Sequence, residues 1–92
     1  MEEWRPLKRS RGQYEVSNLG RVRNIRTGRI RKQSASSSGV MIVHLGGYIN
    51  RTHTVASLVV EAFYGSKPKR VKHIGEITDD RLENILVEEE YD

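Results

Sequence analysis

Glycine, serine and asparagine interrupt the first half of the chain so often that no helix of ordinary length fits there. The turn formers fall at Ser17-Asn18-Leu19-Gly20, Thr27-Gly28, 34–39 and Gly46-Gly47. Between them lie short segments, 13–16, 21–25, 29–32 and 40–45, in which apolar and polar residues alternate. Alternation with a period of two, bounded by turn residues, predicts half-buried β-strands. In Arg21-Val22-Arg23-Asn24-Ile25 it sets Val22 on one face and Arg21 with Arg23 on the other. Thr27-Gly28 turns the chain into Arg29-Ile30-Arg31-Lys32, which repeats the pattern, so the two segments are expected to form a hairpin with one basic face. The serine-rich run 34–39 is expected to be a flexible loop.

The period changes once. Val55-Ala56-Ser57-Leu58-Val59-Val60-Glu61-Ala62-Phe63 lacks Gly and Pro, and its spacing predicts a helix over 55–63 with Thr54 as N-cap and Gly65 as stop. Leu58, Val59, Ala62 and Phe63 fall on one side of it and are expected to cover the sheet. A basic linker, Gly65-Ser66-Lys67-Pro68-Lys69-Arg70, leads to a predicted strand at 71–74, and a polar turn from Thr78 runs into a second strand ending at Val87. The final stretch, 88–92, is expected to fray. The fold class that follows is α+β: a small antiparallel β-hairpin region, then one helix and a ββ element. The chain is expected to divide into modules 1–50 and 51–92, with the helix at 55–63 and the ββ element at 71–87.

Charge is distributed as unevenly as the turns. Residues 4–54 hold eleven Lys or Arg against one acid, Glu15, whereas 76–92 hold eight acids against Arg81 alone. A basic body of this kind suits a polyanion partner. With no cysteine, disulfides and thiolate zinc sites are excluded, which fits a reducing compartment. The sequence has no run of about 18 apolar residues to span a membrane, and MEEWRPLKRS offers no secretory signal. A cytoplasmic location is expected.

Three stretches together resemble the phage-type HNH homing endonucleases. Glu3-Trp4-Arg5-Pro6 followed by Tyr14-Glu15-Val16-Ser17-Asn18-Leu19-Gly20-Arg21-Val22-Arg23 is similar to the nuclease-associated modular motif that precedes their catalytic domain. Leu58-Val59-Val60-Glu61-Ala62-Phe63 is similar to the helix usually reading His-Arg-Leu-Val-Ala-Glu-Ala-Phe. Val71-Lys72-His73-Ile74-Gly75 and Asp79-Asp80-Arg81-Leu82-Glu83-Asn84-Ile85 are similar to Val-Asn-His-Ile-Asp-Gly and Asn-Asn-Arg-Val-Glu-Asn-Leu.

The resemblance implies a ββα-metal element, here truncated, in which two strands, a loop and a helix grip one divalent cation. It assigns His73 as general base toward water and Asn84 as the residue that orients His73. It also exposes departures. Lys72 stands where an oxygen ligand is expected, and an ammonium group has three donors and no acceptor. The Asp expected between Ile74 and Gly75 is missing, and Ala56 replaces the helix histidine, with His53 three residues earlier. The closing helix is expected to be absent, leaving Asp92 as a late oxygen ligand. His44 and His53 are expected to be structural.

No metal ligand is therefore assigned and no cofactor is expected, Mg or Mn entering only if nuclease activity is retained. The expected function is duplex DNA binding without metal-dependent cleavage, through Arg21, Arg23, Arg26, Arg29, Arg31, Lys32, Lys67, Lys69, Arg70 and Lys72. In this reading the Lys72 ammonium meets phosphate where the cation would have done. Two alternatives stand beside it: a nicking endonuclease with a rearranged metal site, and a phage protein that binds and inhibits a host protein through the acidic tail 76–92.

Overall fold

The computed structural model describes residues 1–88, so the expectations for Asp92 and for the end of the acidic tail fall outside the described residues. Turn chemistry sets the strand lengths. β1 (Trp4–Pro6), β2 (Tyr14–Ser17) and β3 (Val22–Asn24) form the first antiparallel sheet, in that order. Its tight corner is built by the Ser17-Asn18-Leu19-Gly20 string. The Ser17 hydroxyl is buried and accepts from the amides of Leu19 and Arg21 at 3.2 and 3.1 Å, while the Gly20 amide donates to the Ser17 carbonyl at 3.1 Å.

The predicted second strand of the basic hairpin is reduced to one bridge, Arg23 opposite Ile30, so 29–32 is not a strand. Residues 24–30 project instead as a tongue. The Asn24 side chain accepts from the Thr27 amide at 3.0 Å, and Gly28 takes a left-handed φ of 73°.

β4 (Ser34–Ala35), β5 (Met41–Leu45) and β6 (Arg51–Thr54) form the second antiparallel sheet. Part of the run expected to be a flexible loop is thus a strand. Its tip is a closed turn, with the Ser36 amide on the Val40 carbonyl at 2.8 Å and the Gly39 amide on Ser36 at 2.9 Å. Val43 and Leu45 point inward and His44 outward, the alternation the sequence carries.

β6 runs straight into α1 (Val55–Tyr64), one residue longer than the predicted helix. Thr54 is the N-cap, but its hydroxyl donates to Ser57 Oγ at 2.7 Å rather than accepting from the helix backbone. Gly65 ends the helix with φ 86°, its amide returning to the Glu61 carbonyl at 3.0 Å. The helix has more than one buried face: Val55, Ala56, Leu58, Val59, Val60 and Glu61 are all buried. It packs on the first and second sheets and on the last hairpin, β7 (Arg70–His73) paired with β8 (Ile85–Glu88).

One hydrophobic cluster joins Leu7, just after β1, and Val16 and Val22 of the first sheet to Val43 and Leu45 of the second, the helix, and Ile85 of the hairpin. The division at residue 50 therefore cuts neither the core nor the sheets cleanly, since β5 and β6 pair across it. Each fully buried Leu or Val adds roughly 1.5–3 kcal/mol, and for 92 residues without a disulfide that shared core is the main source of cohesion.

Candidate functional site

β7 and β8 lie antiparallel with His73 opposite Ile85 and Lys72 opposite Leu86. Strand alternation divides their side chains between two faces. Val71, His73, Ile85 and Val87 turn toward α1 and the core, while Arg70, Lys72 and Leu86 are exposed on the other. Adjacent in sequence, Lys72 and His73 thus serve different surfaces.

The His73 side chain is 8% exposed, and its Nε2 is 2.7 Å from Asp80 Oδ1, on a side chain only 4% exposed. Burial pushes the Asp80 carboxyl above its ordinary range, opposed by the hydrogen bond with His73. Asp80 Oδ2 is buried without a hydrogen-bond partner among the described residues. Asp80 was not singled out from the sequence. Its partner lies seven residues away, and nothing in the spacing distinguishes it from the exposed Asp79–Arg81 pair beside it.

Asn84 acts elsewhere than on the ring. Its Oδ1 accepts from the Gly75 amide at 2.8 Å, and its Nδ2 donates to the carbonyls of Glu76 and Asp79 at 3.1 and 2.8 Å. These bonds stitch the loop between the two strands, and among the described residues the side chain that hydrogen-bonds the His73 ring is Asp80 rather than Asn84. The physical reason is stoichiometric: both ends of the amide are already engaged by peptide groups.

The same loop docks on the first sheet. The Leu82 amide donates to the Asn18 carbonyl at 2.7 Å, and a Cβ added to Gly20 would lie 3.0 Å from the Asp80 carbonyl carbon and oxygen. Gly20 thus supplies both a left-handed φ of 85° and the space that Asp80 occupies.

The cations fall into two groups. Arg21 forks onto both carboxylate oxygens of Glu2. Arg23 bonds Glu15 directly across the sheet, and its guanidinium sits 3.9 Å from the Trp4 ring centroid. The basic face expected there is therefore neutralised within the sheet. Arg9, not anticipated from the sequence, forks onto the buried Glu61 with two 2.8 Å bonds and ties α1 to the turn after β1. Arg70 lies 4.0 Å from Glu88. By contrast Arg26, Arg29, Arg31, Lys32, Lys67, Lys69 and Lys72 are exposed and carry no ion pair among the described residues. Arg31 donates to the His44 carbonyl at 3.1 Å, which fixes it beside the second sheet. His53 is buried with Nε2 on the Ile49 carbonyl at 3.0 Å, a packing role, and His44 is exposed beside Thr52.

Among the described residues, no side-chain cluster fits a divalent cation. Lys72 offers no acceptor and adds a positive charge, and no three His, Cys, Asp or Glu side chains converge among the described residues. No helix among them is long and apolar enough to cross a membrane.

Comparison with known proteins agrees with this geometry. The NUMOD4 motif matches residues 2–46. A solved structure of DNA binding and cleavage by the HNH homing endonuclease I-HmuI superposes over 90% of the chain with a TM-score of 0.76 at 30% identity. The chain carries the NUMOD4 motif and shares the fold of the HNH homing endonuclease I-HmuI over most of its length. It spans 50% of the I-HmuI chain. No curated protein matches it. His73 closes β7 and Asn84 immediately precedes β8, and the Ser17–Gly20 string forms the socket in which the hairpin loop sits.

Proposed function

We propose that this chain is a duplex DNA-binding member of the HNH homing endonuclease family that does not cleave by the metal-dependent route. The observation that carries the reading is the partition of its cations. Residues 16–60 contain no Asp or Glu, and within that stretch the tongue and the segment after it present Arg26, Arg29, Arg31 and Lys32 to solvent. Lys67, Lys69 and Lys72, exposed and without an ion pair among the described residues, form a second group leading into the hairpin. Guanidinium and ammonium groups that carry no ion pair among the described residues attract phosphate, and their engagement releases counterions. That I-HmuI binds and cleaves DNA supports the choice of DNA.

Against cleavage stand Lys72, where the family resemblance calls for an oxygen ligand, and the burial of His73 on Asp80. Lys72 lies on the exposed face of the hairpin, the face opposite His73, where it offers phosphate a direct ion pair. The test is a titration of duplex DNA with and without Mg or Mn, following both binding and nicking of supercoiled plasmid. Binding that weakens steeply with salt, without nicking, is the expected result. Metal-dependent nicking abolished by His73→Ala would replace this reading with that of an active endonuclease. Lys72→Asn is expected to weaken binding and reduce its salt dependence.

A further inference from the structure

The loop between β5 and β6 makes a feature that the phosphate-binding reading does not use. Tyr48 is 64% exposed, yet it is held in place. Its amide donates to Gln13 Oε1 at 3.2 Å, and the Arg11 guanidinium lies 4.5 Å from its ring centroid. Gln13 also fills the space over Gly47, where an added Cβ would fall 1.9 Å from Gln13 Oε1, so the loop is locked against the turn after β1. Arg11 itself adopts a left-handed φ of 53°, a conformation that a non-glycine residue keeps when its surroundings demand it. Lys8, Arg11 and Arg51 are exposed and carry no ion pair among the described residues, and segments 7–13 and 46–51 contain no acid.

A fixed, exposed ring with a guanidinium over it and unpaired cations around it has the chemistry of a stacking platform. Aromatic faces bind the π-faces of unpaired bases, while the neighbouring cations hold the attached phosphates. A neutral or apolar ligand would have no use for the exposed cations Lys8, Arg11 and Arg51 on the segments that carry the ring. We infer that the Tyr48–Arg11 shelf binds an unstacked nucleobase of DNA, such as one exposed opposite a gap in the partner strand. The inference rests on the DNA-binding reading for its partner but uses an aromatic ring, a contact that the cations of the tongue and the hairpin do not supply.

The test uses the full chain and oligonucleotides carrying 2-aminopurine, in a single strand, in an intact duplex, and in a duplex with the probe opposite an abasic site. Wild type is expected to quench the probe in the single strand and opposite the abasic site, and to bind the abasic duplex about tenfold more tightly than the intact one. Tyr48→Ala should abolish both the quenching and the preference while leaving intact-duplex affinity unchanged. Tyr48→Phe should retain both, because the ring and not the hydroxyl makes the contact. Tyr48→Ala that still quenches and still discriminates would overturn the inference, as would wild type that shows neither. If wild type fails to bind intact duplex, the DNA-binding reading fails on its own, and the single-strand arm alone decides the shelf.

Discussion

The first sheet and the β7–β8 hairpin treat charge in opposite ways. In the first sheet, cations that would otherwise face solvent are paired: Arg21 with Glu2, Arg23 with Glu15 and the Trp4 ring. In the hairpin the cation Lys72 is left exposed, and a carboxylate, Asp80, is taken out of water with His73. The Arg21 hydrogen bond holds the Glu2 carboxyl down at about 2, whereas burial pushes the Asp80 carboxyl up. A count of basic residues along the sequence treats Arg21 and Lys72 as equals. The structure shows that strand neighbours decide which cations remain available to a partner.

The sharpest way to break this comparison is to neutralise each group of cations separately. Replacing Arg26, Arg29, Arg31 and Lys32 together with Gln is expected to lower duplex DNA affinity on the order of a hundredfold, and to make the slope of log K against log salt shallower by up to about 3.6. Replacing Arg21 and Arg23 with Gln should change affinity by less than about threefold and lower thermal stability instead. Anisotropy titrations across a salt series, with melting curves alongside, separate the two effects; equal losses of affinity would erase the distinction.

Next in size is the contact that joins the two regions. Gly20→Ala must fit a Cβ against the Asp80 backbone at a left-handed φ, and is expected to cost about 2–3 kcal/mol. Gly28→Ala, at a left-handed φ in the tongue with open space around it, should cost about 1 kcal/mol. Urea unfolding of the two variants isolates the steric part.

Asp80→Ala follows, expected to cost about 2 kcal/mol because it leaves the His73 ring buried without its partner. Asp80→Asn should cost less, since its amide oxygen can still accept from the ring.

The smallest effect is in pH dependence, where the two regions should differ in sign. The folded Glu2 value of about 2 lies below its ordinary 4.5, so its contribution is complete above pH 4.5 and disappears as pH falls toward 2. Glu2 is half-buried and its partner Arg21 is exposed in a surface pair, so the change is small. Asp80 is raised, so its contribution is complete below the ordinary carboxylate value of 3.8 and is lost as pH rises through its folded value. Denaturant midpoints between pH 2 and 5 should therefore flatten in Glu2→Gln. They should fall more steeply with acid in Asp80→Asn than in wild type.

Where a signal was local, the sequence carried it. The alternation around Val22 and Val43, the Gly65 stop and the helix it ends are all consequences of a few consecutive residues. The resemblance placed His73 and Asn84 at the hairpin because the string around them is long. What stayed hidden depends on residues far apart in the chain. Arg9 finds Glu61 across 52 positions, and the Asp80 backbone finds its space at Gly20. The tongue escaped prediction for a related reason: Arg29 and Ile30 have strand-like alternation, but a single bridge to Arg23 is all that the twisted sheet gives them. Alternation says which way side chains face and does not say whether a neighbouring strand is there to pair.

The path of the second sheet has a consequence for how such a protein can be cut and rejoined. The NUMOD4 match ends at residue 46, one position beyond β5. Yet β5 takes its longer pairing from β6, which leads without a break into the helix. A fragment ending at 46 would leave Val43 and Leu45 facing water and the β5 edge open. A graft that preserves this region must therefore carry the chain through Gly65, so the stretch that the motif matches is shorter than the piece that can be inherited as a folded body.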